Sequence, residues 1–367
     1  MKLAIFLPNW LGDLVMATPA LRAVRRRFGP DAHIAGILRP KLAELLAGAP
    51  WLDEQRCFDP HGEQSEHGRL ALIRWMRRQQ FDCVLLLTNS FHTALLAWLG
   101  GAKERVGFAC NGRGCLLTQG LRSQHPGRRH EPTPAVESYL ALAEAIGCAP
   151  ESPRLELVVT PEEAAQGERV WKSLGLRTDG RVVALNNSGG YGAAKRWPLE
   201  HCGALARRMA AELDHDVLVL CGPGEEEAAR EIVGLADSAR VFSLADQPLG
   251  LGTTKACLQR CRWLVTTDSG PLHVAAALGK PVVSLFGPTS PRWIENPTVS
   301  NHVVRLDLDC LGCAKRVCPL GHHRCMRELS PNRVMEGIAA MLGSGAVGET
   351  FSPSNVACLN AGPASTL

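Results

Sequence analysis

The stretch of the chain best suited to chemistry is Thr266-Thr267-Asp268-Ser269-Gly270-Pro271-Leu272-His273, set between the apolar runs Trp263-Leu264-Val265 and Val274-Ala275-Ala276-Ala277-Leu278. It reads as a strand, a tight turn and a helix, with Pro271 suited to the first helical turn and Asp268 or Ser269 to the cap. Unpaired backbone N–H groups at such a helix start, with the positive end of the helix dipole, make a site for phosphate. Gly270 would let the ligand approach the backbone closely. Gly279-Lys280-Pro281 then ends the helix, and Val282 to Phe286 resumes as a strand.

Two further segments have the same strand–turn–helix form. Asn186-Asn187-Ser188-Gly189-Gly190-Tyr191-Gly192-Ala193-Ala194-Lys195-Arg196-Trp197-Pro198 follows the strand-like Val182 to Leu185 and precedes a helical stretch. A glycine-rich loop ending in two cations suits a diphosphate, although the Walker spacing is absent. Near the N-terminus, Gly12-Asp13 follows the apolar strand Leu3 to Leu7. A carboxylate at the end of a first strand in an open sheet either accepts a proton from a substrate or simply caps the next helix. Cys221-Gly222-Pro223-Gly224-Glu225-Glu226-Glu227 follows another strand end. Glu225 or Glu226 could hold ribose hydroxyls there, or all three glutamates could sit in a helix's first turn.

These turns need a layered scaffold, and alternating apolar runs and helical stretches across both halves predict an α/β fold. The 367 residues exceed what one core holds, so two domains are expected: residues 1–150, 151–343, and a tail from Ser344 read as disordered. The helix after the first strand is expected over 14–28, another over 40–47, and a connecting strand over 155–159. No apolar run reaches membrane-spanning length, and Pro8 breaks the only stretch resembling a signal peptide, so the chain is read as cytoplasmic. Residues 1–150 hold 18 Lys and Arg against 13 Asp and Glu, a net +5, whereas the remainder is at −1. Basic clusters at Arg22 to Arg27, Arg74 to Arg78 and Arg128-Arg129-His130 suit an anionic partner such as a phosphorylated lipid. Two tyrosines and no nucleic-acid module argue against nucleic acid.

The three strand–turn–helix segments together resemble the ADP-heptose:lipopolysaccharide heptosyltransferases, glycosyltransferase family 9, over about residues 1–343. Ala194 to Pro198, Phe286-Gly287-Pro288-Thr289-Ser290-Pro291 and the segment ending Cys318-Pro319-Leu320-Gly321-His322-His323-Arg324-Cys325-Met326 are most like the heptosyltransferase II branch. The resemblance implies two facing Rossmann-like domains, the GT-B architecture, the first for the acceptor and the second for the nucleotide-sugar. It implies inverting transfer of L-glycero-D-manno-heptose from ADP-heptose to the lipid A–Kdo inner core, at the inner face of the inner membrane, with no cofactor. Asp13 is then the general base. Lys195, Ser188 and the turn Asp268-Ser269-Gly270 contact diphosphate or sugar, and His273 lies near the donor. Base and phosphate site on opposite domains would let closure exclude water.

Other readings stay open at this point. Heptose transfer to another core position, a Rossmann-type oxidoreductase and a non-catalytic nucleotide-binding protein are alternatives; the missing Gly-x-Gly-x-x-Gly after the first strand weighs against the oxidoreductase. Asp214-His215-Asp216 and Asp307-Leu308-Asp309 are not taken as metal motifs. Fourteen cysteines in a reducing compartment suggest buried thiols or metal ligands, and Cys310, Cys313, Cys318 and Cys325 have a spacing that a structural zinc ion could use.

Overall fold

The structure, a computed structural model, describes residues 1–122, 133–190 and 192–343. The basic cluster at 128–130, Tyr191 and the tail from 344 lie outside the described residues. The chain divides into two compact units, one of Met1–Thr160 with Pro291–Val299, the other of Pro161–Ser290 with the chain from Ser300 onward.

In the first unit the strands are β1 (Lys2–Phe6), β2 (His33–Leu38), β3 (Glu54–Cys57), β4 (Cys83–Leu86), β5 (Glu104–Phe108) and β6 (Gln119–Leu121). The helices are α1 (Leu11–Met16), α2 (Thr18–Phe28), α3 (Arg69–Gln79), α4 (Phe91–Leu99) and α5 (Ala135–Ala145). The sheet is parallel in the order β3-β2-β1-β4-β5-β6. Its central strands are continuous apolar runs because helices cover a parallel sheet on both faces; Leu3, Ala4, Ile5 and Val84 are fully buried. The edge strands β3 and β6 escape sequence reading for the opposite reason: Glu-Gln-Arg-Cys and Gln-Gly-Leu carry no apolar pattern.

The single helix expected over 14–28 is two. Pro19 has no N–H to give the Val15 carbonyl, and the Thr18 hydroxyl donates to that oxygen instead at 2.7 Å. The helix also starts earlier, at Leu11, which puts Asp13 in its first turn rather than before it. Pro40–Leu46 winds as a 3-10 helix, and residues 155–159 join no strand ladder. That connecting segment is held by Arg22, which donates to the Ser152 and Arg154 carbonyls and pairs with Glu156.

The second unit holds β7 (Val182–Asn186), β8 (Asp216–Leu220), β9 (Val241–Ser243), β10 (Leu264–Thr267), β11 (Val282–Leu285) and β12 (Asn301–Val304). Its helices are α6 (Pro161–Leu174), α7 (Leu199–Glu212), α8 (Glu226–Ala236), α9 (Leu251–Arg260), α10 (Gly270–Ala277), α11 (Arg324–Arg327) and α12 (Pro331–Gly343). The order β12-β11-β10-β7-β8-β9, again parallel, repeats the first sheet's topology when counted from β7. In this doubly wound order the crevice for ligands opens at the carboxyl ends of the two strands flanking the reversal. Those strands are β1 and β4 in one unit, β7 and β10 in the other.

Candidate active site

In the second unit the reversal point gathers residues from three strand ends. Lys195 follows β7 in a short 3-10 turn, Ala193–Lys195. Its Nζ donates to the Asp268 carboxylate at 2.6 Å and to the Asp268 carbonyl at 3.0 Å, just past β10. Thr289, beyond β11, donates to the same carboxylate oxygen at 2.6 Å. Both charged side chains are about seven-eighths buried, at 12% and 13% exposure, so the pair is well shielded from water. His273, one turn into α10, is kept neutral: burial lowers its pKa to about 4, against the pull of Asp268 and with the push of Lys195.

Ser269 occupies the cap position of α10, but its hydroxyl makes no cap bond. It lies 2.9 Å from the Asn186 amide, which donates to it, and 3.1 Å from the Thr266 hydroxyl. The start of α10 therefore lacks a side-chain cap, which leaves its N–H groups suited to an anion. Asp268, the other expected cap, is committed to Lys195 and Thr289 instead.

Glu225 and Glu226 are held differently. Glu225 accepts from the Ser188 hydroxyl at 2.8 Å and from the Gly222 N–H at 3.0 Å, which fixes its carboxylate at the end of β8. Glu226 opens α8 in its first turn, where the dipole favours it. Thr267 Oγ1 donates to the Ser188 carbonyl at 2.8 Å and joins this pair to the β10 turn. A cavity of about 360 Å3 is lined by Glu225, Asn187, Arg196, Trp197, His323 and Arg327 among others.

The cysteine-rich segment braces this site. The Ala194 N–H donates to the Arg316 carbonyl at 3.0 Å, His323 Nε2 lies 2.7 Å from the Ala194 carbonyl, and the Trp197 indole donates to Leu329. Gly192 is required by this packing, since a Cβ there would lie 2.5 Å from the Arg316 oxygen. Among the described residues no group of three or more His, Cys, Asp or Glu is placed to hold a metal. Burial pushes the Cys325 thiol up to about 11, and Cys310, Cys313 and Cys318 push the same way. Asp214 and Asp216 are bound by arginines, Asp214 by Arg177, Arg181 and Arg240 and Asp216 by Arg240.

In the first unit, Asp13 sits in the first turn of α1 and accepts from the Tyr139 hydroxyl of α5 at 3.2 Å. Burial, then the Asp13 charge, raises the Tyr139 pKa well above its ordinary value, so the phenol stays a donor. Sequence reasoning missed Tyr139 because its partner is 126 residues away. It also missed a cavity of about 230 Å3 at the ends of β1, β2 and β4, lined by Asn9, Arg39, His61, Arg69, Ser90 and His92 among others. His92 Nε2 is buried without a hydrogen-bond partner, and burial, then Arg69 and His61, lowers its pKa. Fully buried Arg113 shapes this wall by donating to Thr88, Ser90 and Asn89 on the turn between β4 and α4.

The arginines of α2 do not form a free anion-binding face. Arg25 donates to the Trp51, Gly29 and Ala32 carbonyls and pairs with Asp53. Arg26 pairs with Glu151, and Arg27 donates to the Gly147 carbonyl. They fasten the unit's own helices and loops.

Two parallel six-stranded sheets of one topology, each with polar groups gathered at its reversal point, place the chain among two-domain Rossmann-like proteins. Among solved structures it is similar to the Escherichia coli ADP-heptose LPS heptosyltransferase II, with a TM-score of 0.74 and 27% identity over 94% of this chain and 99% of that one. A glycosyltransferase family 9 structure from Veillonella parvula shares the fold, with a TM-score of 0.76 at 23% identity, covering 94% and 97%. The lipopolysaccharide heptosyltransferase 2 of Escherichia coli K12 is 28% identical over 93% of this chain and 99% of its own length. A lipooligosaccharide heptosyltransferase 2 of Campylobacter jejuni is 26% identical over 92% and 98%. The profile of glycosyltransferase family 9 (heptosyltransferase) matches residues 69–324. The chain belongs to glycosyltransferase family 9: it is a glycosyltransferase of GT-B architecture.

Proposed function

We propose that the protein transfers L-glycero-D-manno-heptose from ADP-heptose to a heptose already carried by the Kdo–lipid A core, inverting the anomeric centre. The observation that carries the chemistry is the buried Lys195–Asp268 pair beside the uncapped start of α10, at the reversal point of the second sheet. The sugar and the core position are supported by near full-length similarity to proteins named heptosyltransferase 2.

In this reading Asp13 takes the proton of the acceptor hydroxyl as its oxygen bonds to C1 of the heptose. The bond from C1 to the diphosphate breaks on the opposite face, and the electron pair leaves on ADP. The Lys195 ammonium and the N–H groups around Ser269 and Gly270 meet that charge. Glu225 with Ser188 takes the ribose hydroxyls, and neutral His273 lines the sugar side. The cation and the helix start supply the charge stabilisation, so no metal enters a step.

The first unit takes the acceptor, whose anionic sugars or phosphates meet Arg69, His61 and His92 in the cavity beyond β1. With a lipid acceptor, the enzyme works in the cytoplasm at the inner face of the membrane. Purified protein given ADP-heptose with acylated or deacylated Kdo core, bearing or lacking the first heptose, tests this by mass spectrometry, with and without chelator. Transfer only to the heptose-bearing core, insensitive to chelator, is expected. Transfer only to the heptose-free core would move the enzyme to another position, and hydride exchange with a nicotinamide would replace the reading altogether.

A further inference from the structure

Helices α3 and α4 lie side by side in the first unit, joined where Arg77 donates to the Leu99 carbonyl at 2.8 Å. Their inner residues Leu72, Met76, Ala94, Leu96 and Ala97 are buried in one core cluster. Their outer residues follow no soluble-surface pattern. On α4, Phe91 and Trp98, two turns apart on one face, are 45% and 52% exposed, and Leu70 at the start of α3 is 67% exposed. Isolated exposed apolar residues are ordinary; here three large ones, two of them aromatic, stand on two neighbouring helices.

The two helices themselves carry charge of a single sign. From Arg69 to Phe81 the chain has four arginines and no carboxylate, and from Leu87 to Ala102 it has no carboxylate either. Arg74 and Arg78 are exposed, and no ion pair engages them among the described residues. Acids adjoin the two helices without belonging to them: Glu54 accepts from the Trp75 indole of α3 at 3.1 Å, Glu63 and Glu66 precede α3 in the chain, and Asp82 is paired with Lys103. Protein interfaces also combine aromatic side chains with arginine, so a second copy of the chain is one outcome of the test below; two helices rich in arginine and free of carboxylates favour an anionic surface. Aromatic side chains among unpaired arginines match a bilayer interface, where rings enter the headgroup layer and guanidinium groups meet lipid phosphates.

We propose that the α3–α4 face, through Leu70, Phe91, Trp98, Arg74 and Arg78, docks the protein on an anionic lipid bilayer. The placement rests on the reading that the acceptor is a lipid and adds to it where that lipid enters: Arg69 and His92, from the same two helices, line the cavity assigned to the acceptor. A protein docked by this face holds the cavity next to the membrane.

The test is co-sedimentation of the full chain with vesicles of phosphatidylcholine alone or with phosphatidylglycerol, in parallel with transfer to a deacylated acceptor. Wild type is expected to sediment with the anionic vesicles only, and less at high salt. Phe91→Ser/Trp98→Ser and Arg74→Glu/Arg78→Glu are each expected to weaken that association about tenfold or more, while transfer to the deacylated acceptor stays within twofold. Arg74→Lys/Arg78→Lys should keep binding, which separates charge from a folding defect. Wild type that ignores anionic vesicles, variants that bind like wild type, or a dimer dissolved by the same substitutions would each overturn the assignment. Transfer to the deacylated acceptor is read separately, so failure of the proposed reaction and failure of the docking face remain distinguishable.

Discussion

The two reversal points share a topology and differ in how their polar groups are spent. In the second unit nearly every side chain of interest is bonded to another: Lys195 to Asp268, Thr289 to Asp268, Ser188 to Glu225, Asn186 to Ser269. In the first unit Arg39 is paired with Asp59, but the cavity also contains a buried imidazole nitrogen without a partner and an arginine, Arg69, with no carboxylate against it among the described residues. A prewired centre keeps its geometry whether or not ligand is bound, at the cost of competing with the ligand for its own charges. A centre with unspent donors has the reverse character: its groups gain partners only when an anion arrives. A nucleotide diphosphate, the same at every turnover, suits the first kind, and a large anionic acceptor suits the second.

The largest effect should come from Asp13, the proposed general base. Asp13→Asn is expected to slow transfer about a hundredfold or more, the usual cost of losing a general base, with ADP affinity by calorimetry unchanged. Tyr139→Phe, which removes only the hydroxyl that donates to Asp13, should cost far less. An Asn variant at wild-type rate would reduce Asp13 to a residue of the first helical turn.

Next is the prewired pair. Lys195→Ala removes a cation and leaves the shielded Asp268 carboxylate facing an anionic ligand. ADP affinity and kcat should both fall, each by about ten- to a hundredfold. Lys195→Ala/Asp268→Ala should recover part of the ADP affinity, because it removes the repulsion along with the attraction. If the single substitution leaves both quantities alone, the second unit's centre is structural and the contrast collapses.

The two adjacent glutamates offer an internal control. Glu225→Gln should weaken ADP binding about tenfold, through lost charge-assisted bonds to the ribose and a disturbed Ser188. Glu226→Gln, altering only the first turn of α8, should stay within about twofold. Equal effects would mean that helix dipole and not ribose contact sets the response.

How much of this was legible follows the range of the interactions. The strand–turn–helix segments around Asp13, Lys195 and Asp268 were readable because each is a local pattern of apolar run, glycine or proline, and polar turn. The segment after β11 drew attention as Phe286 to Pro291, but the bond from Thr289 to Asp268 spans 21 residues and left no local trace. The same holds for Tyr139 and for the cation-lined cavity, whose members come from the ends of β1, β2 and β4. The arginine run of α2 shows the converse failure. Its density suggested an anion-binding surface, yet composition is blind to the Trp51, Gly29, Ala32 and Gly147 carbonyls that use those guanidinium groups.

That failure sets up the smallest effect and the sharpest contrast within one unit. Arg69→Met keeps most of the side chain's bulk but removes the charge beside His92, so acceptor KM should rise about three- to tenfold while donor KM stays put. The rise should shrink at high salt, since exposed charges are screened over about 8–10 Å at ordinary ionic strength. Arg25→Glu should do the opposite: it breaks bonds to three carbonyls and opposes Asp53, lowering the unfolding midpoint in urea with little change in either KM. An Arg69→Met enzyme with unchanged acceptor KM, beside an Arg25→Glu enzyme with a raised one, would return the anion-binding role to α2. The unpaired Arg69 of the cavity would then need another explanation.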